Sequence, residues 1–453
     1  MTPVRAFTVE DVHASIVEHG VPADLRTMTR DKIFWSHFCT NLGPAAWVLG
    51  ALVVTVGLDV RWGFIALVLG NVLGALPVAA CATLGPQTGL TQIEISRFSF
   101  GRMGTRVPSA LNWLCAVGWD AVNNVPSVLA LVALAALGGI GLPFWFGLAL
   151  LAGTQMLASA YGHHLVQAIG KYLSYVLVVV FAITGVVAVA RGGSLTVAHA
   201  HVTPATFLLA VSMVAGFAIG FAPYSSDYTR YLAPGTSLRR IAWLSGGGLA
   251  LSGFGVELLG LLTASRLTDV SPAGVIGSVT ALTGAFAPIA LLAIALAAIP
   301  VNSINENTAA YSLISAGVRL PRPISAIVTG GCGYALAVAG AGTFAELFSG
   351  YMLVLLYWIA PWASIVLADW YVVRDHARVV GRWRSGATIF ALVTPLTILL
   401  FSATGVYVGP IARLLGGTDI GSFVGFLAAG GLYVLVQRRR GTEAAQLADP
   451  VAA

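Results

Sequence analysis

The chain has 453 residues, 57% of them hydrophobic and 9% charged, with a net charge of +6. A soluble domain carries about 25% charged residues, so a chain this poor in charge cannot coat a water-facing surface and reads as an all-α polytopic membrane protein. The basic excess would suit nucleic acid only if gathered on one face, and here it is spread along the chain.

A helix needs about 20 apolar residues to cross a bilayer. Residues 1–32 are polar, carry Arg5, Arg26, Arg30 and Lys32, lack the apolar core of a signal peptide, and read as a cytoplasmic tail. Twelve apolar segments follow, at 33–58, 62–84, 108–137, 143–160, 172–190, 205–224, 241–264, 286–314, 324–340, 343–370, 387–405 and 421–436. They make 33–436 one transmembrane domain, closed by a second tail at 437–453. The connections alternate in basicity. Of the 24 Lys and Arg, all but Arg61, Arg191, Arg266 and Arg413 fall on one side. The positive-inside rule puts both termini in the cytoplasm. Twelve spans with both ends inside is the plan of a secondary transporter.

Segment one contains N-L-G-P (Asn41 to Pro44) and segment six G-F-A-P (Gly220 to Pro223). Proline removes a backbone donor and glycine weakens the helix. Either alone is a proline kink. As a pair they lie five segments apart, each about ten residues from the cytoplasmic side of antiparallel helices. That is the expectation for two inverted repeats, at about 33–190 and 205–370, with two further helices at 387–436 and the binding site at the breaks.

Segment three reads "LNWLCAVGWDAVNNV" and sets Trp119 and Asn123 on one helical face. An indole stacks on a flat ring, and a carboxamide offers a donor and an acceptor to a heterocycle's edge. Phe221 offers a second aromatic wall at the break, beside Gly220, and Asn41 stands at the other break. Segment eight runs from "FAPIALLAIALAAIP" into Asn302, Asn305, Glu306 and Asn307. Plain packing of Trp119, interhelical bonding by Asn123 and Asn124, and a polar loop after Pro300 are the competing readings. The loop reading meets the objection that "TAAYSLISAG" continues, with the next basic residue, Arg319, about three helical turns beyond Asn307. Polar groups inside a bilayer are costly and usually functional.

Asp120, Glu257 and Glu306 are ionisable groups within apolar segments, where such groups serve as proton relays or pair with a neighbouring helix. Asp227, near Arg230, reads as ordering the loop after segment six, and Glu94 as paired with Arg97 or Arg102. His163/His164, His199/His201 and His37 form neither a zinc motif nor a triad, which argues against an enzyme. Cys39, Cys81, Cys115 and Cys332 have no C-x-x-C spacing and read as small core residues.

Five stretches carry a family resemblance: "LGPQTGLTQIEISRFSFG" (84–101), "LNWLCAVGWDAVNNV" (111–125), "APYSSDYTRYLAP" (222–234), "NTAAYS" (307–312) and "YWIAPWASIVLADWYVVR" (357–374). The chain resembles the nucleobase:cation symporters, the cytosine, purine, uracil, thiamine, allantoin and hydantoin permeases, with the purine-cytosine branch nearest. The resemblance implies a LeuT-like five-plus-five inverted-repeat core with broken helices 1 and 6 and two extra helices. It also implies a multi-pass protein of the inner or plasma membrane with no cofactor, and a flat base held between aromatics of spans three and six. By position Trp119 resembles the span-three stacking residue and Asn123 its amide partner, while Phe221 falls where relatives often carry tryptophan. The substrate asparagine of span eight falls at Glu306 or Asn307, counted back from Tyr311 and Ser312. In sodium-driven relatives Ser or Thr hydroxyls precede that asparagine. Here the region reads A-A-I-P-V-N (297–302), leaving Ser303 and the Asn302 carbonyl as oxygen ligands. That lack and the buried carboxyls of Asp120, Glu257 and Glu306 favour H+ over Na+ as the coupling ion. A carrier of the same fold for another solute, such as allantoin, a hydantoin, thiamine or an amino acid, is the alternative. An amino acid would have no use for the Trp119/Asn123 pair.

Overall fold

In lipid, backbone groups must be satisfied within the segment, so long apolar runs can only be helices. The computed structural model describes residues 19–161, 163–190, 201–264, 271–374, 381–404 and 407–448. Most of the N-terminal tail, Arg191, Arg266, Arg378, His199, the chain's last residues and the side chains of His163, His164 and Lys171 lie outside what is described. The described residues are helical apart from turns and one isolated bridge, Ala403 to Val408.

In chain order the helices are α1 (Arg30–Phe38), α2 (Pro44–Thr55) and α3 (Val60–Ala82). Three short helices, Leu84–Thr88, Gln92–Ile95 and Arg97–Gly104, lead to α4 (Arg106–Leu137). Then come α5 (Phe144–Tyr161), α6 (His163–Ala190), α7 (Pro204–Ile219), α8 (Ser225–Thr229), α9 (Leu238–Ala264), α10 (Pro272–Thr283) and α11 (Ala287–Leu296). The last are α12 (Ala298–Ala316), α13 (Arg322–Gly340), α14 (Phe344–Leu367), α15 (Ser385–Phe401) and α16 (Gly421–Ala448).

The two glycine-proline sites differ. Between α1 and α2 a 3-10 turn (Cys39–Asn41) and the extended Gly43 bend the chain by 52°. Pro44 opens α2, where its missing N–H costs nothing. At the second site α7 stops before Gly220, a 3-10 turn (Ala222–Tyr224) follows, and α8 resumes. There Pro204–Thr229 runs on as a single apolar stretch, so the interruption is a change of helix type.

By length and hydropathy, six described stretches can cross a bilayer, or seven with the bent pair as one. They do not map singly onto twelve segments. Pro323–Val373, at 51 residues, joins segments nine and ten through the turn Ala341–Thr343. Pro272–Ala316, at 45 residues, places α10 ahead of segment eight. Segments four, five and eleven appear as the shorter apolar helices Phe144–Ser159, Tyr172–Val187 and Ser385–Phe401.

Two groups of helices frame the centre, and α14, α15 and α16 pack together beside them. α2, α3, α7 and α9 form one, and α4, α5, α12 and α13 the other. In the first, small residues let backbones touch. A methyl on Gly50 would stand 1.9 Å from the Glu257 carbonyl oxygen, and one on Gly260 2.1 Å from that of Trp47. Gly50→Ala must therefore push α2 from α9. We expect a loss of about 1–3 kcal/mol, read as a lower Tm in detergent; an unchanged Tm would show that the helices do not meet here.

Phe64, Val68, Leu69, Val72, Leu73 and Leu76 are exposed along α3, as are Ile324, Ile327, Val328 and Leu336 on α13. Such apolar faces suit lipid and not water. Cys332 is also exposed, so it is not the core residue expected.

Candidate binding site

Where the two helix groups meet, a cavity with about 420 Å³ of non-atom space opens beside both interruptions. Asn41 reaches it from the first interruption, Gly220 and Phe221 from the second, Trp119 and Asn123 from α4, and Asn305 from α12. Six of the residues singled out in the sequence thus line one space.

Its walls are aromatic. Trp119 meets Phe217 and Tyr351 edge-to-face, at 5.4 and 5.5 Å between centroids. Phe221 stacks on Tyr224 at 5.5 Å. Gly220 is where the indole approaches backbone, since a methyl there would stand 2.6 Å from Trp119 Cζ2.

Its polar groups are held in a network. Asn123 Nδ2 donates to Asn302 Oδ1 at 2.9 Å. Asn302 Nδ2 in turn lies 3.2 Å from the Asp120 carbonyl oxygen and 3.3 Å from Gln155 Oε1. Gln155 and Asn124 bond reciprocally, at 2.7 and 3.2 Å. Asn305 Nδ2 donates to Asp120 Oδ1 at 2.7 Å, and the Tyr224 hydroxyl donates to Asn305 Oδ1 at 2.6 Å. Asn123 thus lines the cavity with one N–H held by Asn302. Asn41 Nδ2 is buried and without a partner.

Other residues singled out in the sequence stand outside this wall. Asn302 acts through Asn123. Asn307 Nδ2 donates to the Tyr311 hydroxyl at 3.2 Å. Glu306 faces Gly330 on α13, and Ser303 Oγ donates to the Ile299 carbonyl at 2.8 Å. Glu257, on α9, accepts from Asn71 Nδ2 at 2.5 Å. Thr40, Phe217, Tyr224, Val301 and Ile304 complete the lining and were not anticipated. A smaller space of about 230 Å³ adjoins it between Gly43–Ala46 and the start of α12.

The two longest motifs are bonded to each other. Trp362 Nε1 donates to Ser96 Oγ at 2.8 Å and Trp370 Nε1 to Gln87 Oε1 at 3.4 Å, tying 357–374 to 84–101. Asp227 accepts from Gln92 N at 2.9 Å and Thr308 Oγ1 at 2.8 Å, an ordering role as expected. Glu94 pairs with Arg97 at 3.1 Å.

A family model described as a permease for cytosine/purines, uracil, thiamine and allantoin matches residues 20–387. A putative purine-cytosine permease of Bacillus subtilis, YxlA, is 28% identical over 93% of this chain and 95% of its own. The purine-cytosine permease FCY2 of Saccharomyces cerevisiae is 26% identical over 86% of this chain and 78% of its own. Among solved structures, Mhp1, a nucleobase-cation-symport-1 family transporter in a closed conformation with bromovinylhydantoin bound, superposes with a TM-score of 0.76. At 17% identity, covering 93% of this chain and 94% of Mhp1, it speaks for the fold alone. Helix order, cavity and family model agree: the chain belongs to the family of permeases for cytosine and purines, uracil, thiamine and allantoin.

Proposed function

We propose that the chain imports a nucleobase, a purine or a pyrimidine such as cytosine, by cation symport and alternating access. The reading takes the chain as twelve spans with both termini cytoplasmic and a five-plus-five repeat whose broken helices 1 and 6 meet at the cavity. One observation carries it above the rest: a single cavity has an indole wall, a stacked Phe221–Tyr224 wall and amides fixed by neighbours. Trp119 takes the base by its face. Asn123 and Asn305 offer carbonyl oxygens to ring or exocyclic N–H groups, and Asn41 Nδ2 offers a donor to a ring nitrogen or carbonyl. Pre-set amides favour a base with that complementary edge, since a wrong edge leaves buried groups unpaired.

A thermal-shift screen of the purified protein tests this, with cytosine, uracil, adenine, guanine, hypoxanthine, xanthine, allantoin, thiamine and hydantoins, each with and without sodium. A ligand at 100 times its Kd stabilises by about 2.7 kcal/mol. We expect a shift with at least one purine or pyrimidine. Shifts only with allantoin, thiamine or a hydantoin would give the substrate to the alternative class. Proton coupling is favoured over sodium by the carboxyls buried beside the site and by the lack of hydroxyls in residues 297–302, and it predicts a shift independent of sodium.

A further inference from the structure

Asn41 lines the cavity, and its Nδ2 lies against Gly253 on α9, where two more buried polar atoms meet it. A methyl on Gly253 would stand 2.7 Å from Asn71 Oδ1, 3.1 Å from Asn41 Nδ2 and 3.5 Å from Glu257 Oε1. Asn71 belongs to α3, and Glu257 to α9, one helical turn beyond Gly253. Asn41, Asn71 and Glu257 are 6%, 2% and 0% exposed, and none of the three atoms has a hydrogen-bond partner. An unpaired buried polar atom is costly, and three chain segments aim one each at the same point.

The bonds already made fix the orientation of the pair. Asn71 Nδ2 donates to Glu257 Oε2 at 2.5 Å and to the Leu67 carbonyl at 3.0 Å. Two acceptors identify that atom as the amide nitrogen and leave Oδ1 an acceptor without a donor. Glu257 Oε1 is a second acceptor without a donor. Each of these oxygens shares a carbon with an atom of the 2.5 Å bond, and both lie against Gly253. One proton on Oε1 therefore closes a second bond, to Oδ1. A carboxylic acid pairs with a primary amide in this way, and a carboxylate does not. Two oxygens fall short of the about six that a hard metal cation gathers.

Among the described residues no charged group is bonded to Glu257. Of the helices packed on α9, α2, α7 and α10 contain no titratable residue. On α3, Arg61 and Cys81 stand about 15 Å along the helix from Asn71, one to each side. His37 Nδ1 lies 2.9 Å from the Ile33 carbonyl with its ring against Phe221, and Cys39 Sγ donates to the Ser36 carbonyl at 3.5 Å. Tyr175, from α6, packs on Trp35. Arg30, Asp31 and Lys32 open α1, and Arg239 and Arg240 open α9, each at the end away from this point. A carboxylate here has no countercharge to offset its burial.

We propose that Glu257, paired with Asn71, is the proton-binding site of the carrier, and that Asn41 passes its protonation state to the bound base. This rests on reading the cavity as a base site. With Glu257 ionised, Oε1 draws the Asn41 N–H away from the cavity. A proton from the outer aqueous side forms an O–H bond at Oε1, which turns to Asn71 Oδ1 and releases the Asn41 N–H to the base. On the inner side that O–H bond breaks, the proton passes to water and the base leaves. No other covalent bond changes. Proton and base each favour the other's binding, the reciprocity that symport needs.

Glu257→Gln imitates the protonated form, because its amide offers Asn71 the same donor and acceptor. In proteoliposomes, base accumulation under an imposed proton gradient should fall at least about tenfold in this variant, while base counterflow at equal pH stays within about threefold. Wild-type accumulation in Glu257→Gln would overturn the assignment, as would accumulation by wild type that follows a sodium gradient alone. A base-free arm separates its failure from failure of the base reading. The infrared spectrum of ligand-free wild type at neutral pH should show a protonated carboxyl band that Glu257→Gln removes and Asn71→Ala shifts, and the second variant decides where the first does not fold. A wild type without that band, or a band that Asn71→Ala leaves in place, would overturn the assignment. For the link, base affinity in wild type should fall at least about threefold as the pH is raised from neutral to alkaline, and in Asn41→Ala it should not respond. An equal response in both would rule out Asn41 as the link.

Discussion

Trp119→Ala should abolish measurable base binding. Base-aromatic stacking is worth about 1–3 kcal/mol per base, and the substitution also removes the ring that Phe217 and Tyr351 meet edge-to-face. With the wall collapsed as well as the stack lost, we expect an affinity loss of at least roughly 100-fold. Trp119→Phe should recover part of it, because a phenyl ring still stacks. Titration calorimetry on the purified variants measures both. Wild-type affinity in Trp119→Ala would show that the base does not lie on the indole. The Tm of the ligand-free variant distinguishes a lost site from a lost fold.

Asn123→Ala should weaken the preferred base by more than tenfold, and unequally across bases. The side chain is held from behind, its Nδ2 donating to Asn302, which is itself held against Asp120 and Gln155. The oxygen and one N–H are left for the ligand. Truncation leaves a base N–H unpaired in the cavity, a cost of about 1–3 kcal/mol. It also frees Asn302 Oδ1. Bases without a donor on the matching edge should lose little, so the pattern of losses over a base panel would reveal which edge faces α4. Equal losses for all bases would indicate general loosening and contradict a reading role.

Much of the site was legible because the signals were local. Pro44 after Gly43, Pro223 after Gly220, and Trp119 four residues before Asn123 are short-range patterns, and Asn41, Gly220, Trp119 and Asn123 from these stretches line one cavity. The span-eight cluster was harder. Asn302, Asn305, Glu306 and Asn307 sit within six residues on a helix buried on all sides, and periodicity cannot choose a face when every side of the helix is protein. Only Asn305 faces the cavity. Gln155, a lone amide in the apolar run of α5, was a visible signal whose partners come from α4 and α12. Tyr224 and Phe217 were hidden for another reason: their place on the wall follows from how the chain passes from α7 through the 3-10 turn, which composition does not encode. Segment counting suffers where turns are short, as between α13 and α14, because a turn of one or two residues more or less decides whether two spans read as one stretch.

On the proposed reading, the cavity between Trp119 and the Phe221–Tyr224 stack carries a nucleobase across the membrane. Uptake of radiolabelled purine and pyrimidine bases into proteoliposomes, by wild type and by Trp119→Ala, tests it most directly. We expect saturable uptake of at least one base by wild type and uptake at the level of empty liposomes by the variant. No uptake of any base by folded wild-type protein, or equal uptake by both proteins, would contradict it.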